Sequence, residues 1–261
     1  MSLTMLPRER EGSHRVFGAK LVQSQRGETT MTTLLTAAAL FLAIHLVISG
    51  TKLRDVITGQ IGEKPYTGLF ALASLGALIW LCIAFNKADS APANSVLFDA
   101  GQSFRSAGIV VMLLAFALIV PGVTRGNPSS AGQDKAPLNG VLRITRHPFL
   151  WGVMLWSGYH LIATGTLAAT IFFATFFLVA SIGTRAVDGK VKRKRPADWA
   201  MISASTSNLP FAAILAGKTH FVAREYFDWR FGAALVLFAA FLWFHSSLFS
   251  VPAFPPAWLP R

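Results

Sequence analysis

Six stretches of the chain, 31–48, 66–85, 104–123, 149–164, 167–184 and 230–249, approach the roughly 20 apolar residues that a helix needs to cross a bilayer. Hydrocarbon offers no partner to a backbone amide, so only helices and closed barrels span it. Continuous apolar runs without alternation select the helix. The expected fold is therefore all-α, a polytopic transmembrane helix bundle of about six spans. With 53% hydrophobic and 14% charged residues and a mean hydropathy of +0.50, the chain is too apolar for a soluble domain of its length. Spans four and five are joined only by Gly165 and Thr166, which predicts a tight helical hairpin.

Residues 1–30 form a polar extension carrying Arg8, Arg10, Arg15, Lys20 and Arg26, with no apolar core like that of a signal peptide. Met31 opens "MTTLLTAAALFLAIH", and two readings of the extension stand side by side: translation that starts at Met31, or a short disordered tail. The transmembrane domain is read as 31–261. Of the Lys and Arg residues, about 16 fall in the loops after spans one, three and five and about 3 on the opposite side, which places the first group in the cytoplasm. The net charge of +12 lies between apolar blocks and is not interleaved with aromatic recognition segments, so nucleic acid is not an expected partner. Membrane lipid is. The stretch "KVKRKRPADW" reads as a topology signal able to meet anionic headgroups.

The spans contain no paired carboxylates, and the chain has no Gly-rich phosphate loop. Cys82 is the single cysteine and lies in an apolar run, which excludes a disulfide framework. The ionisable groups in or at the mouths of the spans are mainly His45, His147, His160 and His245. Imidazole in hydrocarbon needs a hydrogen-bond partner or a metal. At 1.5 Å per residue His160 lies about 21 Å from the basic edge, His245 about 22 Å and His45 about 10 Å. By depth His160 pairs with His245. Two imidazoles opposed across a planar cofactor are the usual protein contribution to a membrane b-type haem, and structural hydrogen bonding is the plainer alternative.

At the mouth of span four stands Arg146-His147-Pro148. Proline suits a first helical turn, and the arginine fork at headgroup level can hold a carboxylate or phosphate, or simply snorkel. "TSNLPFAAILAG" is too short to span and contains Pro210, which marks an interfacial or re-entrant piece.

"GVLRITRHPFLWGVMLWSGYHLIATG", "GEKPYTGLFALASL", "TSNLPFAAILAG" and "HSSLFSVPAFPP", in that order, resemble the NnrU family of bacterial integral membrane proteins from about Met31 to the C-terminus. That family is similar to the plastid and cyanobacterial 15-cis-zeta-carotene isomerases, membrane haem b proteins, and its name reflects an association with nitric oxide and nitrite metabolism. The resemblance implies a bacterial inner-membrane protein and a haem held by two histidines, at positions matching His45 and His160. It also implies a redox-linked ligand change that opens iron to a polyene; nitric oxide is the alternative ligand. The isomerases carry a cysteine three residues before the second histidine, where this chain has Ser157. Arg146, His147 and Ser157 are accordingly the candidate catalytic residues, and His45, His160 and His245 the candidate haem ligands, with His45 and His160 on the metal.

Two other functions fit parts of the pattern. Arg146-His147-Pro148 with Gly152 is similar to the membrane isoprenylcysteine and phospholipid methyltransferases, whose corresponding turn helps to bind S-adenosylmethionine. The Glu-Glu segment of those enzymes has no counterpart after His160, where Asp188 and Asp198 stand isolated among Lys and Arg. A non-catalytic assembly or sensing factor, with histidines that cross-link helices, is the third reading.

Overall fold

The computed structural model describes residues 27–130, 132–251 and 253. The polar stretch 1–26 lies outside them, as does the end of the chain. In chain order the helices are α1 Gly27–Ile48, α2 Leu53–Ile61, α3 Glu63–Asp89, α4 Gly101–Ser106, α5 Gly108–Thr124 and α6 Val141–Ile144. They continue with α7 Pro148–Thr164, α8 Leu167–Lys194, α9 Pro196–Ser205, α10 Ala212–Leu215, α11 Ala223–Tyr226 and α12 Trp229–Phe249. No named strand occurs among the described residues, so the chain is an all-α polytopic bundle.

Five helical segments are long and apolar enough to cross a membrane: α1, α3, Ser103–Thr124, α8 and α12. The sixth expected span is α7, with 17 residues, about 25 Å of helix. α12 packs on α5, α5 on α7 and α7 on α8, while α8 also meets α3 and the end of α1. The most buried of the five is α8, with 39% of its apolar window inside the molecule against 6% for α12. Cys82 is exposed on the apolar flank of α3.

Lipid tails are as apolar as leucine, so close packing must hold such helices together, and small side chains permit it. One core joins α1, α3 and α8 through Ala37, Ala38, Ala77, Ala84, Ala168 and Ala169 around the fully buried Leu34 and Leu81. Between α5 and α7 the contact is closer still. A Cβ on Gly152 would stand 2.5 Å from Ile119 Cγ1 and 2.8 Å from the Ala115 carbonyl oxygen.

The hairpin between α7 and α8 forms at the expected residues. Gly165 ends α7 with φ +64°, and the Thr166 hydroxyl caps α8 by accepting from the Ala169 amide at 3.3 Å. The incoming strand of loop clasps this turn: Leu97 N–H donates to the Gly165 carbonyl at 2.8 Å and Leu167 N–H to Ser95 at 2.9 Å. α1 closes on a π-helical turn, Ala43–Ile48, which contains His45. Such wide turns accommodate one extra residue and concentrate at functional sites.

One boundary differs in a way that matters. Apolarity ends near Thr184, yet α8 continues as helix through Lys194. Lys and Arg are good helix formers, and the stop is set by Pro196, which disfavours the α conformation at Arg195 and opens α9. The cationic run is thus mostly the last turns of a helix.

Gly152→Val should force α5 and α7 apart and lower stability by about 1 to 3 kcal/mol. Thermal unfolding of the detergent-solubilised variant checks this, and an unchanged midpoint would contradict the packing described.

Candidate functional site

The extension of α8 carries Asp188 to the mouth of α7, where its carboxylate gathers the side chains of Arg146 and His147. Arg146 Nε donates to Oδ1 at 2.8 Å and Nη2 to Oδ2 at 2.6 Å, a two-pronged grip. His147 Nε2 lies 2.7 Å from Oδ1. His147 is 4% exposed. Trp199 of α9 lies 5.0 Å from the Arg146 guanidinium carbon, on the ring face. The carboxylate that the arginine fork was expected to hold is therefore internal. The reading of Asp188 as isolated among cations is corrected: in helical register it follows the buried Ala180 and Thr184, and that periodicity was the signal.

Two further carboxylates organise the same basic end. Glu225 accepts from Arg143 Nε at 2.7 Å, Arg143 Nη2 at 3.0 Å and the Gly140 amide at 2.8 Å. Asp228 accepts from Arg125 at 2.7 Å and Arg230 at 2.6 Å, tying the start of α12 to the end of α5. The segment 206–217 docks here and does not span. Phe211 N–H donates to the Ile144 carbonyl at 2.8 Å, and the Thr145 hydroxyl donates to that of Asn208 at 2.6 Å.

Deeper in the bundle the three remaining span histidines share one arrangement. Nδ1 of His45 lies 2.9 Å from the Phe41 carbonyl oxygen, that of His160 2.8 Å from Trp156 and that of His245 2.7 Å from Val251. A carbonyl only accepts, so each Nδ1 donates, and the neutral ring then carries its lone pair on Nε2. These bonds stay within one helix or its immediate exit, so they do not cross-link spans. Ser157 is fully buried and donates to the Val153 carbonyl at 2.6 Å, one turn back on its own helix.

The structure does not bring the His45 and His160 rings into contact. They are linked through an aromatic row: His45 stacks on Phe41 at 4.2 Å, Phe41 meets Phe176 at 5.4 Å, Phe176 meets Trp156 at 5.3 Å, and Trp156 meets His160 at 5.7 Å. His160 also stacks on Phe173 of α8 at 4.9 Å. No group of three or more His, Cys, Asp or Glu side chains capable of holding a bare metal ion occurs among the described residues. A porphyrin metal needs only axial donors from the protein.

A bundle of apolar helices with a charge-locked mouth defines a polytopic membrane protein. Residues 33–253 match the family described as NnrU protein, and the chain belongs to that family. It is similar to the "15-cis-zeta-carotene isomerase, chloroplastic" of Arabidopsis thaliana, 29% identical over 195 residues that cover 69% of this chain and 50% of the plant protein. The chain thus spans about half the length of that relative. No solved structure matches.

Asp188→Asn deprives Arg146 and His147, whose side chains are 12% and 3% exposed, of their shared carboxylate, and it should destabilise the protein by about 3 kcal/mol. Denaturant unfolding in micelles measures this, and adding His147→Ala to the variant should cost little more. Hydrogen bonds from Arg143 and then Gly140 hold the Glu225 carboxyl at about 2, below its ordinary 4.5. Its stabilisation is complete above the ordinary value and is lost as pH falls toward the depressed one. Glu225→Gln should melt below wild type at neutral pH, with the gap closing on acidification; a gap independent of pH would contradict this assignment.

Proposed function

We propose that the protein binds haem b through His160 and His45, with His245 as the alternative partner of His160. We further propose that it acts by cis–trans isomerisation of a polyene, the reaction for which its plant relative is named. The observation that carries the reading is the common orientation of the imidazoles. Each has Nδ1–H committed to a carbonyl, which leaves Nε2 as the free donor atom. A hydrogen bond from the far ring nitrogen to a carbonyl fixes the tautomer and raises the basicity of a ligating histidine. The donor set fits a haem, which asks for two imidazoles in apolar surroundings and no carboxylate.

When bound, haem iron would supply redox-dependent interaction with a conjugated double bond, lowering its barrier to rotation. The chain's own residues supply position and dryness. Phe173 and Trp156 pack against the His160 ring, and Phe176 backs Trp156. Arg146 and His147 are positioning residues: through Asp188 they pin α7 to α8, and with them His160 to Phe173. The Ser157 hydroxyl, satisfied by the Val153 carbonyl one turn back on α7, supplies no thiolate. Nitric oxide is the small ligand the same site would take in place of a polyene. In this reading the basic end faces the cytoplasm of a bacterial inner membrane, as the positive-inside rule directs.

Detergent-purified protein from haem-replete cells should show a Soret band that sharpens with dithionite. His160→Ala should abolish the band, and either His45→Ala or His245→Ala should do the same. A colourless wild-type preparation, or full absorbance without His160, would overturn haem binding. Conversion of 15-cis-zeta-carotene by the reduced protein, set against spectral shifts on adding nitric oxide, tests the two ligands separately.

A further inference from the structure

At the basic end of α5, α7 and α8 lies a cavity of about 430 Å³. Its polar wall includes Arg125, Ser129, His147 and Lys190, and its apolar wall Val123 and Phe149. Ser129 is 3% exposed, and its Oγ has no hydrogen-bond partner. The buried Arg125 Nε has none either. Both are donors left without a protein acceptor, and a buried unpaired donor is destabilising until it finds one. Lys190 enters no ion pair among the described residues. The charges that act on it are Arg54, Lys194, Arg195 and one carboxylate, Glu63, itself paired with Arg54. Phe149 and Leu150, in the first turn of α7, line the same space, and a helix start has no carbonyl of its own to offer its first amides.

We propose that this cavity is a phosphate-binding site, with Lys190 as its cation and Ser129, Arg125 Nε and the α7 amides as its donors. Among the described residues no carboxylate lines the cavity, Ser129 Oγ and Arg125 Nε can both donate, and the neighbouring carboxylate of Asp188 is already engaged by Arg146 and His147. That donor set suits a tetrahedral oxyanion. Val123 and Phe149, 60% and 42% exposed on the bilayer flank, offer a surface for acyl chains beside it. The phosphate can belong to an anionic lipid headgroup or to free phosphate in solution. The site is independent of haem.

The test uses the full chain in nanodiscs containing phosphatidylcholine and phosphatidylglycerol, with native mass spectrometry of the lipids that stay bound. Wild type should retain phosphatidylglycerol selectively. Lys190→Gln should lose that selectivity about fivefold, as expected for one cation near an anionic surface. Lys190→Arg and the control Lys192→Gln should both keep it. Ser129→Ala should weaken it without removing it. In phosphatidylcholine discs, a rise in melting temperature with inorganic phosphate that disappears in Lys190→Gln assigns the site to free phosphate instead. The proposal is overturned if Lys190→Gln matches wild type in both arms, or if Lys192→Gln loses as much as Lys190→Gln, since attraction is then diffuse over the cationic turn.

Discussion

Asp188 is the contact on which the mouth of the bundle depends. It sits on the last polar turns of the central helix, and its two oxygens collect a guanidinium and an imidazole from the neighbouring one. In hydrocarbon, helices gain little from mutual apolar contact, because lipid serves as well. Their register must come from close packing and from polar bonds, and this ionic corner fixes α7 along its axis as well as against α8. Removing the carboxylate would leave an arginine and a histidine facing each other in a nearly closed space.

From that corner the arrangement builds inward. α7 enters at Pro148, passes Gly152, where α5 approaches too closely for any side chain, and carries Ser157 and His160 toward the far turn. α8 returns past Phe172, Phe173 and Phe176, which meet Trp156, His160 and Phe41. The basic end is a lattice of arginines held by Asp188, Glu225 and Asp228, and the interior is aromatic with isolated imidazoles. Charge and chemistry are thus separated along the helix axis.

The bundle was legible because apolar length is a nearly sufficient signal for a membrane helix: α1, α3, Ser103–Thr124, α7 and α12 emerge within a few residues of their expected limits, and the hairpin at Gly165 and Thr166 falls where the sequence puts it. The histidines were legible as residues but not as a pair, since depth along separate helices carries no information about which faces meet. Asp188, Glu225 and Asp228 were hidden for a physical reason. Apart from Arg230 beside Asp228, their side-chain partners lie 41 to 103 residues away, and a carboxylate amid cations reads locally as surface charge. Only the continuation of helix past Thr184 gives Asp188 an inward direction, and that continuation depends on propensity after hydropathy has fallen silent.

The wide turn at the end of α1 has a geometric consequence. A π turn holds one residue more than the α ladder allows, so the frame of the helix before Ala43 and that after Ile48 are offset by about 100°. His45 lies in the seam between the two frames. Shortening this segment by a single residue would leave an unbroken, regular rod, yet it would swing every group beyond the deletion, including the approach to α2, a quarter-turn or more around the axis.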